Sequence, residues 1–194
     1  MGFSMHYLKR TTWIFLLLLA LAWGTANAAT KAIWPAEAII EFDATSTLHD
    51  FTGAVTPAPF NVRVLWNGPL VTVGGKATVA VASMNTKHVK RDRNMRKMFH
   101  SDTFPLLSGV MKPVQINPDD LKSVPLDLTV LGTTRTVPLT LSQWQVDDDG
   151  IHFGGTLSLS LKELGLKPPV IMGFIRVGDS VEVRIHGTLK KPSK

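Results

Sequence analysis

Residues 151–162, IHFGGTLSLSLK, decide the fold: Ile151, Phe153, Gly155, Leu157, Leu159 and Leu161 occupy every second position, with His152, Thr156, Ser158, Ser160 and Lys162 between them. Successive side chains of an extended chain point to opposite faces, so this alternation describes a strand with one apolar and one polar side. A helix would scatter the same residues around its circumference.

The pattern continues in both directions. Asp147-Asp148-Asp149-Gly150 turns the chain just before this strand, and Gly132-Thr133 joins Leu126, Leu128 and Val130 to Val137, Leu139 and Leu141. Further back, Val71, Val73, Gly75, Ala77, Val79 and Val81 line one face after the Asn67-Gly68-Pro69 turn. Residues 39–43, 61–66 and 106–116 read as strands, 47–53 as a polar reversal and Gly178-Asp179 as a turn. Val181, Val183, Ile185 and Leu189 close the chain, and residues 190–194 read as a disordered tail. About eight strands with hairpin-length connections predict an all-β antiparallel fold. One-sided strands of this length favour closure into a barrel, which removes exposed edges.

A barrel of about eight strands either fills itself with side chains or holds one small ligand. Strict alternation points Phe42, Val79, Val81, Leu128, Val130, Leu139, Leu141, Phe153, Leu157, Leu159 and Val183 inward. Gly75, Ala77, Gly155 and Gly187 belong to the same face, where small residues either leave room or relieve curvature.

One stretch breaks the alternation. Residues 84–105, MNTKHVKRDRNMRKMFHSDTFP, read as a helix over about 86–100, capped by Thr86 and stopped by Pro105. On a helical wheel Met84, His88, Arg91, Met95, Met98 and Phe99 share one sector, which is expected to face the barrel opening. Lys90, Arg93, Arg96, Lys97 and His100 gather opposite, and the sector is expected to stand away in water. Arg91 lies among methionines, where a charge needs a partner: an internal ion pair, or the head group of a ligand. The methionines read either as core or as an adaptable apolar lining. The basic face reads either as ordinary solvated surface or as a contact for anionic membrane.

Residues 1–28 have the form of a secretory leader: Lys9 and Arg10, an apolar run over 13–23, and Ala26-Asn27-Ala28 before an expected cleavage at Ala29. A periplasmic or secreted protein of one domain, residues 29–194, is therefore expected. The chain has no cysteine, so a hydrophobic core rather than disulfides must hold it. Without Lys9 and Arg10, nineteen Lys and Arg stand against fifteen Asp and Glu, a net +4. That excess permits an anionic surface and does not call for nucleic acid. Nothing in the sequence sets an oligomeric state.

Catalytic signatures are missing: no nucleophile elbow, no zinc-binding His pair, no phosphate-cradling loop. His49-Asp50 is the strongest candidate for metal or acid–base work, against a plainer role for Asp50 and Thr52 in holding the turn. No enzymatic activity, cofactor or metal is expected.

Four stretches together resemble the YceI-like family: 47–53 (TLHDFTG), 85–105 with Arg91-Asp92 and Phe99…Phe104-Pro105, 131–139 (LGTTRTVPL) and 164–183 (LGLKPPVIMGFIRVGDSVEV). The chain departs from the family's pattern at Asn94, where a histidine is frequent, and at Leu106-Leu107-Ser108. The resemblance implies a lipocalin-like barrel that carries a polyisoprenoid, an isoprenoid quinone or another long amphiphile. The ligand-binding set is then the inward residues above with Arg91, Met95, Met98 and Phe99. The competing expectation is an envelope-stress or surface interaction module that acts through the basic helix and has a solid interior.

Overall fold

The computed structural model describes residues 31–171 and 173–192. The expected leader and its cleavage point lie outside these residues. In chain order the elements are β1 (Lys31–Ser46), β2 (Phe51–Val55), β3 (Phe60–Asn67), β4 (Leu70–Ala80), α1 (Val89–Met98), β5 (Leu106–Ile116), β6 (Ser123–Val130), β7 (Thr133–Val146), β8 (Gly150–Ser160), β9 (Val170–Ile171) and β10 (Ile175–Lys190). Lys190, placed in the tail by the sequence, pairs with Gly150 at the end of β10.

The strands are antiparallel, and β1 pairs with β10 as well as with β3. The circuit β1-β3-β4-β5-β6-β7-β8-β10 therefore closes into an eight-stranded barrel. β2 and β3 lie end to end along one side of β1, which pairs through residues 40–44 with β2 and 31–36 with β3. Between them sits Thr56-Pro57-Ala58-Pro59, whose prolines have no N–H for a ladder. On its other side β2 bonds not to β4 but to Asn85: Ala54 N donates to Asn85 O at 2.9 Å, and Asn85 N returns a bond to Ala54 O at 3.0 Å. The segment leading into α1 thus takes the ladder position beside β2, and the helix follows at that end.

Three corrections concern local structure. The helix begins at Val89, not Thr86; its N-cap is His88, whose ring accepts from Arg91 N at 3.4 Å. It ends at Met98, within two residues of the expected end, but His100 rather than Pro105 stops it: His100 takes φ 48°, and Ser101 N and His100 N bond to Arg96 O and Lys97 O, both at 3.1 Å. This is a left-handed helix stop made without glycine. Gly178-Asp179 is not a turn but an irregularity inside β10, where the register with β1 shifts between Ala44 and Ser46.

The small inward residues serve mainly close approach. Gly187 faces Phe153 across β10 and β8, and a Cβ there would lie 2.3 Å from the Phe153 ring. Gly53 stands in the same relation to Phe42, at 2.2 Å. At Gly155 the Leu139 side chain already stands 3.0 Å away.

Two apolar clusters face the barrel interior at different heights. The lower one, at the end of the turns 67–70, 117–122 and 147–150, centres on Val64, Val71, Ile116, Ile151 and Leu189. The upper one joins Phe42, Val79 and Val130 to Met95 and Phe99 of α1 and to Leu161, Leu164 and Leu166 after β8.

Candidate functional site: an apolar cavity under the helix

A cavity of about 820 Å³ occupies the upper half of the barrel and opens beside α1. That is within the range of roughly 300–1,000 Å³ typical of small-molecule sites. Its walls are strand residues from the inward face, and α1 forms its roof. Of the fifteen side chains expected to bind ligand, twelve border it: Phe42, Val79, Arg91, Met95, Met98, Phe99, Leu128, Val130, Leu139, Leu157, Leu159 and Val183.

Three do not. Val81 is fully buried, but in a 3-10 turn (Val81–Ser83) after β4, where strand alternation no longer applies. Leu141 and Phe153 pack into the lower cluster, beneath the cavity floor. Phe153 is held down there by Gly187, whose missing side chain gives its ring a seat.

The helix presents its sectors differently from the wheel reading. Met95 and Phe99 are buried and Met98 half-buried, as their apolar character demands. The basic sector does not turn away, however: Lys90, Arg93 and Lys97 border the cavity at its mouth, exposed to water. Arg96, expected outside, is half-buried, and its Nη1 lies 3.4 Å from Ala82 O.

Arg91 makes no ion pair among the described residues. Its Nε donates to Thr86 Oγ1 at 2.8 Å and its Nη2 to Thr86 O at 2.7 Å, while the guanidinium stands 4.4 Å above the Phe51 ring. A cation over an aromatic face is stabilised by the ring quadrupole. Asp92 is the buried acid: it accepts from Thr86 N at 2.9 Å and from Thr86 Oγ1 at 2.5 Å. Burial pushes its carboxyl up, but the two Thr86 bonds, with Arg96 and Arg91 nearby, outweigh that and hold it below its ordinary 3.8. Thr86, read from sequence as a helix cap, is instead the knot that ties α1 to the segment beside β2.

Sequence reasoning read Leu161 as the last inward residue of its strand but missed the roof that it makes with Leu164 and Leu166, all three bordering the cavity. Leu166 N bonds to Leu161 O at 2.8 Å and Gly165 N to Lys162 O at 2.9 Å, with Gly165 at φ 80°. This single helical turn closed by glycine folds three leucines inward; the run Leu161 to Gly165, LKELG, was its signal. Asp179 fixes the turn from β10, accepting from Ser160 Oγ at 2.8 Å and Lys162 N at 2.9 Å.

His49 borders the mouth, but Asp50 holds the turn, accepting from Ser46 N at 3.1 Å. Among the described residues no group of three His, Asp or Glu side chains is placed to hold a metal ion.

Comparison with known proteins bears on the fold and the family. In structure the chain is similar to a polyisoprenoid-binding domain from Saccharophagus degradans implicated in plant cell wall breakdown, with TM-score 0.60 and 14% identity over 84% of this chain and 100% of that one. It is also similar to BcnA of Burkholderia cenocepacia, with TM-score 0.56 and 18% identity over 77% and 94% of the two chains. A search of curated protein sequences gives no match. The model of the YceI-like domain matches residues 32–189, nearly the whole barrel, and the chain belongs to that family.

Proposed function

We propose that this protein is a non-enzymatic carrier of a long apolar chain with a polar head, such as a polyisoprenoid, an isoprenoid quinone or a lipid. The observation that carries this reading is the cavity itself: about 820 Å³, walled by aliphatic and aromatic side chains and roofed by methionines. A void of that size in a close-packed protein forfeits much contact energy, which an apolar ligand restores. Each methylene moved from water into such a lining contributes roughly 0.8 kcal/mol, so a short run of isoprene units offsets the cost of ordering the chain. The head group belongs at the mouth, where Arg91 has donors left over after its two bonds to Thr86. Export by the leader at residues 1–28 is part of the same reading, since a carrier between membranes works in the periplasm or outside the cell.

The interaction-module alternative requires a solid interior, and the cavity argues against it. Solvent extraction of protein purified from the compartment to which it is exported, followed by mass spectrometry, tests the carrier reading. A recurring isoprenoid or lipid at near-stoichiometric amount is expected; protein that repeatedly yields none overturns it.

A further inference from the structure

The mouth of the cavity carries a pattern that retention of a ligand does not require. Among the described residues bordering the cavity are four Lys or Arg (Lys90, Arg91, Arg93 and Lys97) and no Asp or Glu. Lys90, Arg93 and Lys97 stand exposed along one side of α1. Two apolar tips stand at the same end: Leu48 after β1, on the cavity border and 59% exposed, and Phe174 between β9 and β10, next to Ile175 of that border and 66% exposed. The tips are braced rather than loose. Thr47 N donates to Arg176 O at 3.0 Å, Arg176 N donates to Thr47 Oγ1 at 3.1 Å, and that hydroxyl lies 3.4 Å from Phe174 O.

Leucine and phenylalanine held out in water at the same open end as a row of cations is the composition of a surface that sits among lipid head groups. The apolar tips enter the acyl boundary and the cations meet phosphates. A folded protein partner would find only a narrow rim around a hole, with little area to bury, whereas a fluid bilayer conforms to such a rim.

We propose that this rim is a docking surface for an anionic phospholipid bilayer, onto which the cavity opens directly. The purpose of such docking, loading and unloading the amphiphile without passage through water, rests on the carrier reading; the docking itself is tested separately.

The test is co-sedimentation of the protein purified from the compartment to which it is exported, as in the extraction above, with vesicles of phosphatidylcholine alone or mixed with phosphatidylglycerol. The wild type is expected to bind the mixed vesicles far more tightly than the neutral ones. The variant K90Q/R93Q/K97Q should lower the partition coefficient roughly fivefold per charge, on the order of a hundredfold in all. The variant K122Q/K190Q/K191Q removes the same charge from the opposite end of the barrel, more than a Debye length of about 10 Å away, and should bind nearly as the wild type. Phe174→Ser, whose ring does not border the cavity, should weaken binding roughly tenfold while the extracted amphiphile stays unchanged. Equal binding to both vesicles, equal loss in the two triple variants, or undiminished binding by Phe174→Ser would each overturn the proposal. A rim that binds no anionic vesicle leaves a protein partner or none. A loaded cavity with no vesicle binding refutes docking alone; an empty cavity with rim-dependent binding refutes the carrier reading alone.

Discussion

The two ends of the barrel use the same residue types and reach opposite results. At the lower end Val64, Val71 and Ile151 are 0% exposed and Leu189 1%, with Trp34, Trp66, Trp144 and Phe153 packed between them. At the upper end Val130 is 2% exposed, Leu161 6% and Val79 8%, yet all three border empty space. The difference lies in what crosses the barrel. Below, short turns hold the strands close, and Phe153, seated over Gly187, packs into the centre with Trp34, Trp66 and Trp144. Above, α1 and the turn after β8 lie across the opening as a roof, and nothing descends from them to the floor. Being shielded from water and being packed are therefore separate properties, and here they separate along one strand length.

The sharpest way to break this comparison is to remove the roof. Phe99→Ala deletes a ring that is 7% exposed and should cost about 3–5 kcal/mol in all, shared between folding and ligand retention. Denaturant titration beside extracted ligand content apportions the two; unchanged retention would mean that the ring only packs.

The floor should respond differently. Leu189→Ala leaves a hole in the packed end and should cost about 2–5 kcal/mol of stability with no loss of ligand per folded molecule. Leu128→Ala, on the cavity wall, gives up contacts that were already incomplete and should cost only about 1 kcal/mol. Similar losses at both sites, read by the same titration, would erase the distinction between the ends.

Asp92→Asn loosens the helix anchor and should cost about 1–2 kcal/mol at neutral pH, since a carboxylate that accepts two bonds is replaced by a weaker acceptor. Its native carboxyl titrates below the ordinary 3.8, so its contribution is complete above that pH and is lost as pH falls through the lower native value. The gap between wild type and variant should close in that acid range; thermal melts across it would show a constant gap if Asp92 were not the group responsible.

The smallest effect on stability is expected from Ala77→Leu, which points new bulk into the void. Its cost should stay under about 1 kcal/mol, because nothing needs to move aside, while ligand content falls. A large loss of stability would mean that the upper end is packed after all.

Alternation made the barrel legible. Residues 151–161 point inward at every second position as read, and the span of β5 matches residues 106–116. What the alternation could not show was depth. Leu139 and Leu141 look alike in sequence, yet one borders the cavity and the other lies beneath it. Their levels depend on the β7–β8 register, which shifts between Leu141 and Gln143. That is a cross-strand fact, set by residues distant in the chain. The helix showed the same limit. Its composition marked it, but the Thr86 side chain had three claimants, the helix end, Asp92 and Arg91, and only the folded chain shows which of them hold it. The family likeness anticipated the fold through motifs spread over the whole domain, including the LGL at 164–166 that proves to be part of the roof.

The seam between β1 and β10 joins Ala36 to Leu189 and Ala44 to Val181, so the first strand waits for the last. Loop-closure entropy must be met across almost the whole domain before that ladder contributes anything, which makes sealing the barrel a slow step that cannot begin until β10 has been made. Until then β1 is an unpaired edge and the future cavity an open apolar trough, prone to pair with another chain. A chain cut short within β10 would stay in that state. Any stray amphiphile that reached it would meet a sticky sheet rather than a container.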